Sequence, residues 1–311
     1  MKTKIRKLLF EYSINSRITT KELGKRIGAS QQSTSYLLNT LKKKKLIGSN
    51  TTVIDAIKLG FIKVIVGFDF LDPSFKKEII DDLLNVASIT SIEEGKEGVD
   101  LSIEYTVQNL SAFNKIHSEL IYKFYKKLKT RFIFPLIVSH NYCRNYLTRK
   151  FDRTDIILFG DRITRELTKN ESIVLNELSR NSDKKLIEIS ESLKMPIKTV
   201  VRIKKSLEKK YIIRGYSTIL NHNKLGINRQ IILLKFSSEG INKIDEFTDF
   251  SRNNKNIVGL VKIIGQFDIA IYVESLKEIE IIKDIRASFS IEDYLIIQSE
   301  KIHKKTHLPQ A

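Results

Sequence analysis

Displaced against itself by 166 residues, the chain aligns Ile5–Gly60 with Glu171–Gly226 without a gap and with fourteen identities. Asn15 and Ser16 return as Asn181 and Ser182, Leu41 as Leu207, and Lys58, Leu59, Gly60 as Lys224, Leu225, Gly226. Solenoid repeats have periods of about 20–50 residues, so a period this long marks a duplicated domain-sized unit. The 311 residues must therefore fold as two copies of one plan, each long enough to bury its own core.

Each copy opens with three helical patterns. Ile5, Leu8, Leu9 and Tyr12 recur at helical spacing, and Thr19 or Thr20 caps a short helix through Leu23 and Ile27. A tight turn at Gly28–Ser30 leads to a third helix over about 31–45, with Leu37, Leu38 and Leu41 inward. Two helices joined by a short Gly-containing turn form a helix-turn-helix. The second copy repeats this, with Ile189 and Leu193 on the short helix, Pro196 at the turn, and Val200, Ile203 and Leu207 on the third helix. The β-branched residues that follow each third helix predict a β-hairpin wing.

The rest of each copy alternates strand, helix, strand, strand, helix, strand. These segments are 62–70, 73–86 with Asp72 as N-cap, 89–93, 99–107, 110–129 and 131–139, then 230–236, 241–253, 257–264, 268–274, 276–288 and 294–302. That order is the split βαβ, ferredoxin-like arrangement. The expected fold class is α+β: two tandem units, each a winged helix-turn-helix (1–60 and 169–226) followed by a ferredoxin-like βαββαβ sensor and dimerisation domain (61–145 and 227–311), joined by a polar linker at 146–168.

Charge singles out the helical parts. Residues 2–50 hold 12 basic and 2 acidic side chains, a net of +10, and residues 161–216 hold 14 and 8, a net of +6; the formal total is +18, so everything else sums to +2. Two concentrated basic windows predict two docking surfaces for a polyanion such as nucleic acid or an anionic membrane surface, and on helix-turn-helix modules the expected partner is double-stranded DNA. Cys143 is the only cysteine, which excludes an intrachain disulfide and a cysteine-rich zinc site and suits a reducing cytoplasm. The apolar stretch after Met1 is too short and interrupted for a signal peptide or a membrane span. The five histidines show no paired ligand spacing, and phosphate-binding glycine motifs are absent, so neither metal nor cofactor is expected and the reading is of a protein that is not an enzyme.

The order of these features resembles the Lrp/AsnC (feast-famine) regulators, above all their tandem archaeal members. The likeness is carried by "RITTKELGKRIGAS", "RIKKSLEKKYIIRGY", the two "KLG" sites, "GQFD" at 265–268, "HNYCRNYL" and "EKIHKKTHLP". It implies a DNA-binding transcriptional regulator whose sensor domains dimerise and bind an amino acid or similar small effector. The two copies would pair within one chain as a pseudo-dimer, or between chains. It also implies that Gly265, Gln266 and Asp268 line an effector pocket, with Gly98 and Asp100 in the first copy, which departs from the pattern by lacking the Gly three residues before Asp100 and so has a degenerate or differently specific pocket; the bland alternative is a hairpin turn. Proteins similar to this family decarboxylate sirohaem, and Ser139–Asn145 has a slight likeness to them, which leaves such an enzyme as an alternative. Non-specific DNA compaction is another.

On the third helix of the second copy, Lys198, Arg202, Lys205 and Lys209 lie opposite the apolar residues, with Thr199 beside them; the repeat maps the four onto Gln32, Tyr36, Asn39 and Lys43. Gln31, Ser33, Ser35 and Lys42 flank the first stripe. Gln and Asn pair bidentately with adenine edges, whereas Lys mostly holds phosphate, so the first copy is expected to read more sequence than the second. The alternatives are that these lysines form a solvated face near a helix C-terminus and that Ser30 and Ser33 are caps.

Overall fold

The computed structural model describes residues 1–161 and 163–310. Arg162, counted in the second basic window, and Ala311, the end of the expected second sensor domain, lie outside the described residues. The first copy runs α1 (Thr3–Ile14), α2 (Thr20–Ile27), α3 (Gln31–Lys43), β1 (Ile47–Ile54), β2 (Ile62–Phe70), α4 (Lys76–Leu84), β3 (Ile89–Glu97), β4 (Leu101–Val107), α5 (Leu110–Lys123) and β5 (Leu128–Tyr142). After β6 (Asp155–Phe159), the second runs α6 (Lys169–Arg180), α7 (Leu186–Ser192), α8 (Ile197–Lys209), β7 (Ile213–Leu220), α9 (His222–Leu225), β8 (Asn228–Phe236), α10 (Ile244–Asn253), β9 (Ile257–Ile263), β10 (Ile269–Ser275), α11 (Ile281–Ser288) and β11 (Ile291–Lys305). The α+β class and the tandem plan stand.

Local chemistry sets the helix-turn-helix. Thr19 accepts from the Glu22 N–H and Ser30 from the Ser33 N–H, so each helix start has a satisfied donor. Gly28 closes α2 with φ +67°, and Gly24 lies so close beneath the turn that a Cβ there would stand 2.8 Å from the Ala29 carbonyl oxygen. In the second copy Lys194 takes the left-handed position at φ 48°, and Ser190 donates to the Met195 carbonyl at 2.6 Å.

The expected hairpin wings are not hairpins. Each is one strand, and β1 pairs antiparallel with β7 of the other copy, from Ile47 opposite Leu220 to Ile54 opposite Ile213. The cores are exchanged along with the strands. Val53, Ile54 and Ala56 from the first copy pack with Leu175, Val200 and Leu207 of the second helix-turn-helix, while Leu220 and Ile227 from the second copy pack with Leu8, Leu23 and Leu41 of the first. Two short amphipathic strands gain a ladder by this exchange, and each three-helix cluster gains a covered face.

Each remaining βαββαβ half makes a four-stranded antiparallel sheet, β3-β4-β2-β5 and β9-β10-β8-β11. The last strands are 15 residues long and change partners midway. β5 leaves β2 at Pro135 and pairs with β9 from Leu136, while β11 leaves β8 at Gln298 and pairs with β3 from there. The result is a ring of eight strands made from both copies, with β6 added beside β5. Period-two alternation then sorts the side chains: Val64, Val66 and Phe68 meet α4 and α5, and Ile232, Leu234 and Phe236 meet α10 and α11. Ile65, Phe132, Phe134, Ile231, Leu233 and Val261 fill the space between the sheets.

Three segments depart from the sequence reading. The expected helix over 110–129 ends at Lys123, and that over 276–288 begins at Ile281. The joining stretch is built into the fold: β6 arises within it, and Tyr146 and Leu147 at its start are buried in the first helix-turn-helix core. His303, expected beyond the last strand, lies on β11, and His307 just after it is buried.

Candidate nucleic-acid interface and central cavity

The exposed faces of α3 and α8 carry the residues singled out by the repeat. Gln31, Gln32, Ser33, Tyr36, Asn39, Lys42 and Lys43 are exposed and Ser35 half-buried on α3. Lys198, Arg202, Lys205 and Lys209 are exposed and Thr199 half-buried on α8. Tyr36, at 71% exposure, presents a large ring to water. Lys42 is different from its neighbours. Its ammonium is 3.2 Å from the Asp183 carboxylate, which also accepts from Asn50 at 2.6 Å, so it ties the first copy to the second. Arg17 does the same by donating to the Ser182 and Lys184 carbonyls, and Thr52 bonds Leu178 and Ser182. The two helical modules are thus joined by polar contacts as well as by the β1–β7 ladder.

The two sensor turns play matching structural parts. Asp268 accepts from the Phe236 N–H at 2.9 Å and from Lys235 at 3.1 Å, and Asp100 accepts from the Phe70 N–H at 2.8 Å. Phe70 and Phe236 are repeat equivalents, so each aspartate latches the end of its copy's first sheet strand. A Cβ on Gly98 would be 2.3 Å from the Ile296 carbonyl oxygen, and one on Gly265 2.6 Å from the Phe134 ring. Each glycine therefore admits the long strand of the opposite copy. Gln266 is exposed, and none of these five residues lines the central cavity.

That cavity, of about 210 Å³, lies between the β1–β7 ribbon and the strand ring. A buried ionic network forms part of its wall. Glu274, fully buried on β10, accepts from Arg144 Nε at 2.9 Å and Tyr146 Oη at 2.8 Å through one oxygen. Its other oxygen accepts from Arg229 at 2.8 Å and lies 2.9 Å from His222 Nε2. Arg229 also forks onto Glu93 at 2.7 and 3.1 Å. Burial would raise the Glu274 carboxyl, but Arg144, His222 and Arg229 hold it well below the usual carboxylate range. Behind it, Lys63 donates to Glu104, and Lys305 is 3.8 Å from the same carboxylate. Against the raising effect of burial, Lys305 and Lys63 bring Glu104 down to about 2. Burial, Lys63 and Lys305 push His307 well below its usual value, so it is neutral at pH 7. Burial also raises the Cys143 thiol to about 12, which leaves no thiolate for nucleophilic chemistry.

Sequence reasoning passed over this network. Its members come from β3, β8, β10, α9 and the stretch after β5. The available signal was weak: Arg229 stands just before, and Glu274 just after, a run of strand-forming apolar residues, where an unpaired charge is costly to bury.

No family model matches the chain. An uncharacterised HTH-type transcriptional regulator of Pyrococcus abyssi is 23% identical over 129 residues, 40% of this chain and 83% of that protein. The crystal structure of the siroheme decarboxylase NirDL superposes on 99% of this chain and 94% of its own, with a TM-score of 0.61 and 12% identity. Its complex with an iron-uroporphyrin III analogue gives 0.59 with the same coverage. An AsnC family transcriptional regulator from Agrobacterium tumefaciens covers 46% of the chain at a TM-score of 0.40, too distant to carry weight. Relatedness to a helix-turn-helix regulator and a fold shared end to end with NirDL follow from these. The expectation of a protein that is not an enzyme is overturned, because NirDL, which shares the fold over 99% of this chain, is one. Scattered histidines in the sequence were no ground for that exclusion, since the fold brings His222 and His307 to one cavity. Among the described residues no helix is long and apolar enough to cross a membrane.

Proposed function

We propose that this chain is a sequence-specific, double-stranded-DNA-binding transcriptional regulator, modulated by a small effector, in which α3 and α8 enter DNA as an intrachain pseudo-dimer. The observation that carries this reading is the pair of solvent-facing stripes, polar on α3 and basic on α8, borne by modules joined through β1 and β7. A recognition helix must offer one free face to the major groove, and a two-fold arrangement offers two. The relative in Pyrococcus abyssi supports it. Gln32 and Asn39 read base edges, while Lys198, Arg202, Lys205 and Lys209 chiefly hold phosphates. Binding to the chain's own promoter and to random duplex across a salt series tests this. A steep salt slope with promoter preference is expected, and binding without preference would favour a DNA-compacting role. No binding to either duplex at low salt would overturn it.

A second reading is a tetrapyrrole decarboxylase, favoured by the end-to-end fold likeness to NirDL. The cavity of about 210 Å³ is below the roughly 300–1,000 Å³ usual for a drug-sized ligand, so a macrocycle requires it to open. Titration with an iron-uroporphyrin, followed by absorbance, separates the two readings.

A further inference from the structure

We propose that this chain associates with further copies of itself head to tail, the basic end of the first sensor sheet docking on the acidic end of the second. The inference goes beyond DNA binding and does not depend on it.

The two ends are built alike. Where β2 meets β5 the Leu71 N–H donates to the Lys127 carbonyl at 2.9 Å, and where β8 meets β11 the Ser237 N–H donates to the Ser290 carbonyl at 3.1 Å. Just inside these bonds Asp69 stands opposite Lys129 in the first copy and Lys235 opposite Asp293 in the second. The same place in the two ladders thus carries its charges in reverse order.

The reversal extends to the surroundings. Outside the two basic windows the chain sums to only +2, which hides an uneven spread. Residues 69–84 with 110–131, the outer half of the first sensor domain, hold eight basic and six acidic side chains, a net of +2. Their counterparts, 235–252 with 276–294, hold six and nine, a net of −3. The contrast is sharpest at the strand ends: 122–131 holds five basic residues and no acidic one, whereas 285–294 holds one basic and two acidic. Three of the five are met locally, Lys123 by Asp82, Lys127 by Glu78 and Arg131 by Asp69. Among the described residues, Lys126 and Lys129 at the basic end and Glu239 and Glu292 at the acidic end are exposed and enter no ion pair. Opposite charges left open on matching ends of one chain complement each other across a contact between two chains.

Apolar groups stand open at the same two places. Tyr122 and Tyr125 are 86% and 70% exposed, with Leu71 exposed at the same end, while Ile241 and Tyr294 are exposed at the acidic end. Tyrosine and aliphatic groups rimmed by charge have the composition of a protein interface. The contact joins unlike surfaces, so it is heterologous, and each docked pair leaves one end of either kind open.

Sedimentation velocity on the nuclease-treated full chain tests this at about 0.1 M salt, where a Debye length of about 10 Å screens the overall charge but spares pairs in contact. The wild type is expected to gain mass with concentration and to lose it as salt rises. Lys126→Glu with Lys129→Glu, and separately Glu239→Lys with Glu292→Lys, should each weaken association at least about tenfold. An equimolar mixture of the two double variants keeps one native basic end and one native acidic end, so it should recover two-chain species. Both variants stay strongly positive, at +14 and +22 against +18, so recovery would not be a general attraction between opposite charges. Circular dichroism confirms that each is folded; all four substitutions are at exposed positions. A wild type that stays a single chain throughout overturns the proposal, as does association that survives either pair of reversals or a mixture that fails to recover. Loss on the lysine reversals alone would give the basic end to another partner, such as a polyanion, and overturns it equally. Because no DNA is present, these failures leave the DNA-binding reading untouched.

Discussion

Glu274 is the residue on which the interior most depends. Four groups converge on a carboxylate with no exposure, and each was taken out of water to reach it. Removing one member of a buried pair leaves the others uncompensated, so Glu274→Gln should destabilise the fold by about 3–5 kcal/mol in urea unfolding. Glu104 supplies a pH signature. Its carboxyl is lowered from 4.5 to about 2, so its stabilising effect is complete above the unfolded value and is lost as pH falls through that interval. Wild-type stability should drop on acidification from pH 4.5 towards 2, and Glu104→Gln should show a shallower drop over the same range. Gly98 combines φ +92° with the close approach of β11, and alanine there meets the Ile296 carbonyl at once. Gly98→Ala should lower stability by about 1–3 kcal/mol or more, read as a shift in the urea midpoint.

At the scale of the element, α3 and α8 share a position in the repeat and differ in chemistry. Replacing Gln32 and Asn39 with Ala should reduce the preference for a specific over a random duplex, at about 1–3 kcal/mol for each bidentate pair, and leave the salt slope nearly unchanged. Replacing Lys198 and Lys205 should instead weaken binding to every duplex and flatten the slope by about 1 per phosphate lost. Fluorescence anisotropy on one pair of duplexes measures both effects. If the α3 changes leave discrimination intact, the division of labour is wrong. The helices were legible because capping and apolar spacing are local: Thr19, Ser30, Leu23 and Leu41 stand within one or two turns of what they specify. The wing was not legible. β1 and β7 have the composition of hairpin strands, yet their partners lie about 165 residues away.

For the molecule as a whole, the exchange of strands between copies has a thermodynamic consequence. Neither helix-turn-helix core is complete without a strand of the other copy, and the strand ring closes only through β5–β9 and β11–β3. The two repeats should therefore unfold together in one urea transition, with coincident far-ultraviolet circular dichroism and tyrosine fluorescence; two separated transitions would show the halves to be independent. The duplication, the three-helix pattern, the βαββαβ order and the two basic windows were all written in the sequence, because each is carried by the order and composition of residues along the chain. Tertiary structure alone decided that wing strands cross between copies, that the stretch after Tyr146 belongs to a core, and that Arg144, Arg229, Glu93, Glu274 and His307 face one cavity. Those arrangements join residues far apart in the chain, and their stability comes from mutual desolvation and pairing, which no local spacing encodes.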